Sequence, residues 1–445
     1  MTGGDELIDA LSELIAIPSV SADAAHVDDV RLAGTWVRDR IVAGGGEAEL
    51  VETERNPLVI GGFRASENFE TAPTILCYAH FDVQPPDPLE LWETPPFELA
   101  RRNGNLFARG VADDKGNLFC LVEAASQLAR AGELGVNVRF AFDGEEEIGG
   151  DSVVRWVDAD SGPADAAMIL DGSKIRRDLP AFAVGVRGML YFHLRLRTGE
   201  TDMHSGLFGG VALNALHALM AGLSGVVAGP DGRLPAPLRA GATAPSAEEL
   251  AAWSVLPTGQ DQLSHYGATP IAAGAAEEFH LRTFADTSLD VNGIAGGSPD
   301  LVKTVLPVEA RANVSIRLAP GQEPEEIRQA FERLVRERVP EGAELEITLR
   351  NSARPALTAS DAPAITLAAD AFERVGGARP LLVRSGGTLP VYAALVARGL
   401  PTFATGFGVE SEANVHAPNE NVPGDAIDAG VETLREVFRG FAALD

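Results

Sequence analysis

The chain has 445 residues, enough for two domains of ordinary size, and its 45% hydrophobic and 22% charged content is that of a folded globular protein. A formal net charge of −28 argues against nucleic acid and anionic membrane surfaces as partners, because both would be repelled. Positive charge is almost all arginine, lysine being confined to Lys115, Lys174 and Lys303.

The opening segment, MTGGDELIDALSELIAIPSV, lacks a basic stretch and an unbroken apolar run, so it does not read as a signal peptide. Leu7, Leu11, Leu14 and Ile15 fall at helical spacing and predict an amphipathic helix. TILCYAH (74–80) predicts a buried strand, GNLFCLVEAASQLARAG (116–132) a helix, VNVRFAFDG (136–144) a strand and AAMILDG (166–172) another. That alternation predicts an α/β fold with a mostly parallel sheet, in which ligands gather beyond the carboxyl ends of the strands. Near Arg187 the texture changes. YFHLRLRTG and EARANVSIRLAP (309–320) alternate as strands, LNALHALMAGLSGVV and EPEEIRQAFERLVRERV read as helices, and ELEITLR (344–350) closes the pattern. Between them, about 229–275 reads as a long irregular stretch. The expected organisation is a discontinuous first domain, 1–186 and 353–445, with a smaller α+β domain, 187–352, inserted into it. Cys77 and Cys120 lie in apolar runs and read as buried free thiols, and no run approaches the ~18 apolar residues of a membrane span, so a cytoplasmic protein is expected.

Seven polar residues stand out: His80, Asp82, Glu146, Glu147 and Asp171 just after predicted strand ends, Asp113 where a helix opens, and His416 in the late run SEANVHAPNE. Only eight histidines occur in the chain. In YAHFDVQP, positions 80 and 82 share a face of an extended segment, so Asp82 can orient the His80 imidazole; a turn-forming aspartate is the plainer use. In RGVADDKG, Asp113 stands where a helix cap would, but two adjacent acids exceed what a cap needs and suit a carboxylate between cations. In DGEEEIGG, acids follow an apolar segment, and neighbouring side chains diverge, which lets one bind a metal while the other faces a substrate. Oxygen and imidazole donors in one acidic set suit zinc, manganese or cobalt. No G-x-S-x-G, H-E-x-x-H or phosphate-binding loop is present.

YAHFDVQP, RGVADDKG, DGEEEIGG, DMHSGLFGG and NVHAPNE together resemble the M20 metallopeptidases, in particular their dipeptidase branch, over nearly the whole chain. The resemblance implies two divalent ions per subunit, Zn²⁺ or Mn²⁺ with Co²⁺ possible. His80, Asp113 and Asp171 would hold one ion and Asp113, Glu147 and His416 the other, with Asp113 bridging. It implies Glu146 as general base, Asp82 as the acid behind His80, and a cis bond between Asp113 and Asp114. The inserted domain would be a lid and the interface of a homodimer, with His204 reaching the partner's active site to stabilise the oxyanion. Arg317 would clamp the substrate's α-carboxylate, with Thr304, Gly387, Thr388 and Asn292 as further substrate contacts. The expected activity is hydrolysis of dipeptides or short peptides with a free C-terminus. N-acyl or N-carbamoyl amino-acid hydrolysis on the same scaffold is the alternative, and an inactive binding scaffold the remote one. The resemblance implies that aspartate rather than glutamate at 171 favours the aminopeptidase and dipeptidase branches over the carboxypeptidases and N-acyl-amino-acid deacylases, whereas Ser385-Gly386-Gly387-Thr388 departs from the family's usual glutamate-and-serine loop.

Overall fold

The structure is a computed structural model and describes residues 3–444. Two compact units divide it: the first is Met1–Val184, Thr358–Val383 and Ala394–Asp445, the second Gly185–Leu357 and Arg384–Ala393.

The first unit is built on a mixed sheet of β1 (Glu47–Val51), β2 (Leu58–Phe63), β3 (Thr74–His80), β4 (Asn137–Asp143), β5 (Ala166–Leu170), β6 (Ala181–Val186) and the late strand Thr402–Thr405. Their order is β1-β2-β4-β3-β5, then Thr402–Thr405, then β6. The centre of the sheet, from β4 to Thr402–Thr405, is parallel, and both rims are antiparallel. All seven residues of β3 are buried, as expected of a strand covered on both faces. The helix Lys115–Ala131 covers part of the sheet and stops at Gly132, whose φ of 72° gives the left-handed turn that ends a helix without strain. Leu11, Phe81, Phe119, Phe140, Phe142, Phe403 and Phe438 belong to one continuous core here. Because β3, β4 and β5 run in parallel, their carboxyl ends place His80, the 144–147 loop and Asp171 at one edge.

The second unit has its own core. Four antiparallel strands, β7 (Gly188–Arg197), β8 (Ser288–Ala295), β9 (Glu309–Leu318) and β10 (Glu344–Ala353), pair in the order β8-β9-β7-β10. Buried residues alternate strictly along β7, so one face takes the helices Ala215–Leu223 and Pro324–Arg336. Phe192 stacks on Phe331 at 4.4 Å between ring centres.

Three features differ from the sequence reading. The stretch 229–275 is not irregular: it holds the helices Ala236–Arg239, Ala247–Trp253 and Gly259–His265. Ser246 and Glu249 close a reciprocal capping box on the second, a signal written in the sequence as S-x-x-E. The edge strand β8 also went unforeseen, because its glycine and run of exposed residues give no alternation of burial. Finally, Arg384–Ala393 belongs to the second unit, although the sequence reading returned the chain to the first from residue 353 onward.

Candidate metal centre

The seven polar residues marked in the sequence meet in the first unit. His80 ends β3, and its ring is fully buried. Its Nε2 lies 2.9 Å from Asp113 Oδ1 and 3.8 Å from Asp171 Oδ1. On the other side of the ring, Nδ1 donates to the Asp82 carbonyl at 3.1 Å and lies 3.4 Å from its carboxylate. That second bond leaves Nε2 facing the acids, the orientation a ligating imidazole needs. Asp82, with no exposed surface, also accepts from the Glu146 and Glu147 amides at 3.3 and 3.1 Å. One carboxylate thereby ties the end of β3 to the loop after β4.

Asp113 is the hinge of the set. While Oδ1 meets His80, Oδ2 lies 3.0 Å from His416 Nε2, which is itself 3.2 Å from Glu147 Oε2. The donor atoms of His80, Asp113 and Asp171 lie within 4.8 Å of one another, and so do those of Asp113, Glu147 and His416. The Asp113–Asp114 peptide is cis. Asp114, not Asp113, is the N-cap residue of the helix, and it accepts from the His80 amide and the Asn117 side chain rather than capping. Glu147 is held by Gln84, whose amide and side chain donate to it at 3.1 and 2.8 Å. His416 sits in a loop where it, Asn414 and Asn419 all have φ between 51° and 62°, a conformation kept only when its surroundings impose it.

Charge explains what such a cluster is for. Hydrogen bonds with Asp113 and Glu147 raise His416 to about 10. Burial works against charge on His80, but its bonds to Asp113 and Asp82 outweigh that and lift its pKa well above the ordinary value. Burial likewise disfavours the Asp113 anion, and the two imidazoles nonetheless hold its carboxyl below the usual range. Two other acids go the opposite way: burial pushes Glu146 up to about 8 and Asp171 to about 6, with neighbouring carboxylates adding to the rise against the pull of His80. Among the described residues, no lysine or arginine bonds to Asp113, Glu146, Glu147 or Asp171. Among the described residues, the basic side chains that meet this set are thus two imidazoles, His80 and His416. Divalent cations fit that deficit, binding neutral imidazole and ionised carboxylate together.

Sequence reasoning missed the residue that steadies this loop. Glu420, fully buried, takes Arg109 Nη1 at 2.6 Å and the amides of Gly110, Ala112 and Asp113 at 3.1, 2.8 and 3.1 Å. Its signal was the NVHAPNE run itself, in which only the histidine had been given a role.

The remaining marked residues lie in the second unit. Met203–His204 pairs with Val305–Leu306, and Ser205 donates from both its amide and hydroxyl to the Thr304 carbonyl, so His204 and Thr304 are neighbours on an exposed surface. His204 Nδ1 accepts from the Gly206 amide. Arg317 Nη1 donates to Thr388 Oγ1 at 2.7 Å, beside Gly387, whose carbonyl accepts from the Arg187 amide. Arg187, which had no assigned role, also reaches the Gly386 carbonyl and Ser288. Asn292 stands exposed at the bulge of β8.

Comparison with known proteins places this arrangement. Cysteinylglycine-S-conjugate dipeptidase of Corynebacterium striatum is 26% identical over 427 residues, 94% of this chain and 91% of that protein. Cys-Gly metallodipeptidase dug1 of Schizosaccharomyces pombe is 29% identical over 413 residues, 87% of this chain and 85% of that protein. Among solved structures, the M20 family metallo-carboxypeptidase Sso-CP2 from Sulfolobus solfataricus matches with a TM-score of 0.85 and 25% identity over 99% of this chain and 100% of that one. Residues 76–440, which hold every residue of the cluster, match the family model described as Peptidase family M20/M25/M40, and the chain therefore belongs to that family of hydrolases.

Proposed function

We propose that the chain is a dinuclear metallodipeptidase that cleaves the amide bond of dipeptides or short peptides carrying a free C-terminal carboxylate. One observation carries the reading: the two oxygens of Asp113 face two different imidazoles, each with a further acid beside it, so that two ligand sets share one carboxylate. His80, Asp113 and Asp171 would hold one ion and Asp113, Glu147 and His416 the other, with zinc and manganese both suited to the donors and cobalt admissible. When bound, the ions would supply a Lewis acid for the scissile carbonyl and a water acidified enough to attack at neutral pH.

The protein's own groups do the rest. Glu146 flanks the ligand set through the loop it shares with Glu147, and its side chain bonds to none of the ligands among the described residues. It is the group free to take a proton from the attacking water and return it to the leaving amine. Asp82 keeps His80 in the tautomer that presents Nε2. On the second unit, Arg317 with Thr388 would receive the substrate carboxylate, a planar fork meeting a planar anion. Thr304, Gly387 and Asn292 would complete the contacts. His204, exposed on its own unit, would act on the oxyanion of a partner subunit in a homodimer formed through the second unit. Dipeptidase names among the relatives support the substrate class. Cys77 and Cys120, both buried and unpaired, suit a reducing cytoplasm; among the described residues no helix is long and apolar enough to cross a membrane.

A second reading, removal of the last residue from longer peptides, is favoured by the full-length match to Sso-CP2. Hydrolysis of a panel by the metal-loaded protein separates the readings: dipeptides, longer peptides, and N-acetyl, N-succinyl and N-carbamoyl amino acids, followed by mass spectrometry. Turnover confined to dipeptides is the expected result. Stepwise shortening of longer peptides would install the second reading, and turnover confined to N-acylated amino acids would overturn both.

A further inference from the structure

Two of the segments that carry the ligands of the first unit, those of His80 and Asp113, are fastened to a third that supplies no ligand itself. After the first helix, Gly3–Ile15, the chain runs on as Ala16-Ile17-Pro18-Ser19-Val20. Ser19, fully buried, donates its hydroxyl to the Phe81 carbonyl at 2.6 Å. Its own carbonyl accepts from the Val83 amide at 3.0 Å, and Val20 bridges to Val83 in parallel. These bonds bracket Asp82 on both sides, within the run that also contains His80 and Gln84. At the same segment, Lys115 Nζ donates to the carbonyls of Leu14 at 3.1 Å and Ile17 at 2.6 Å. Lys115 has no exposed surface and lies two positions after Asp113. Its stem runs past Gly110, where a Cβ would meet Lys115 Cδ at 3.2 Å and Val83 Cγ1 at 2.8 Å, so both loops converge on one spot. The φ of Gly110, +86°, is one that only glycine adopts without strain.

A buried ammonium is costly to desolvate, and each of these polar groups is satisfied by an acceptor on the strap or on the loop. Residues 81–83 and 115 are thus bonded to one short stretch, Leu14–Val20. Resting on the metal-centre reading above, we propose that the segment Leu14–Val20 is a strap that sets the separation of the His80 and Asp113 loops and hence the affinity of the centre for its ions. Ser19 and Lys115 are its positioning residues. Removing the Ser19 hydroxyl releases the Phe81 carbonyl. Removing the Lys115 ammonium frees the Asp113 loop from the strap, whose Leu14 and Ile17 carbonyls then keep only the amides of Ile17 and Ser19 as donors.

The test uses the full chain stripped of metal, with Zn²⁺ and Mn²⁺ affinities read by competition with a chromophoric chelator, and with metal-free thermal melts beside them. Ser19→Ala and Lys115→Met should melt cooperatively without metal and yet bind ions roughly 10–100-fold more weakly, the usual cost of losing a partner behind the ligands. Turnover should fall in kcat with KM little changed and recover in excess metal, and Ser19→Thr, which keeps the hydroxyl, should behave as the parent. Should Lys115→Met fail to fold, Ser19→Ala decides alone. Affinities in Ser19→Ala equal to those of a parent that binds two ions would overturn the strap and leave the metal centre standing. A parent that binds no ions would overturn both.

Discussion

The two units hold their polar residues in opposite ways. In the first, His80 and Asp82 have no exposed surface and Glu147 keeps 3% of its side chain, while His416 keeps 54%; His80 is fixed by the Asp82 carbonyl, Glu147 by Gln84 and Asp113 by Glu420 through its amide. In the second, His204, Thr304 and Asn292 are exposed, while Arg317 has the Thr388 side chain as its partner. Burial makes the enclosed members of the first set electrostatically strong, because poorly solvated charges interact at low effective dielectric. It also makes that set a complete constellation within one unit. The exposed residues have no such environment of their own, and their chemistry depends on whatever covers them. The contrast teaches which half of the proposed machinery is preorganised and which must be assembled.

The largest effect tests the buried half as a whole. Exhaustive chelation should remove all turnover and lower the melting temperature, since ions that bind only the folded chain stabilise it by mass action. Readdition of Zn²⁺, Mn²⁺ or Co²⁺ should restore both. Activity that survives chelation would end the metallohydrolase reading. Next comes Glu146→Gln, which keeps the shape of the side chain and removes its basicity. Turnover should drop about 10²–10⁴-fold, the range of a general base, while metal content measured by mass spectrometry stays at the parent level. Loss of metal in that variant would instead make Glu146 a ligand.

The exposed half is tested by His204→Ala, expected to cost ~10²–10³ in kcat if it donates to the oxyanion. Mixing this variant with Glu146→Gln should restore part of the activity, because hybrid dimers contain one site with both groups intact. No recovery in demonstrably mixed dimers would confine His204 to its own subunit. This experiment sharpens the comparison most, since it asks whether the exposed residues are completed by a second copy.

How far the sequence foretold this arrangement depended on whether a signal was local. His80, Asp171 and Glu147 follow apolar runs that could only be buried strands, so their placement at one edge of a parallel sheet was legible from alternation alone. The helix Lys115–Ala131 was foreseen within a residue of its ends. Glu420 was not foreseen as a support, because its four donors come from residues more than 300 positions away. The same distance effect hid the allegiance of Arg384–Ala393: Arg384 is claimed by Glu249, 135 residues earlier, through two bonds of 2.7 and 3.0 Å. The helices between 236 and 265 were hidden differently, behind prolines, glycines and alanines that blur periodicity even where a capping box marks a start.

Those two long-range pairs supply the smallest and cleanest contrast. Arg109–Glu420 in the first unit and Arg384–Glu249 in the second each bury an arginine almost completely, at 1% and 2% exposure. Their acids differ: Glu420 is fully enclosed, whereas Glu249 keeps 19% of its side-chain surface. Truncating an acid leaves its arginine charged and unpaired, and the penalty depends on whether water can take the acid's place. Glu420→Ala also strips three backbone amides of their acceptor, and should cost about 3–5 kcal/mol in denaturant unfolding. In Glu249→Ala, solvent can reach the vacated position and the Thr243 carbonyl still accepts from Arg384, so a loss of about 1–3 kcal/mol is expected. Equal losses would mean that enclosure does not distinguish the two units, and the opening contrast would have to rest on the ligands alone.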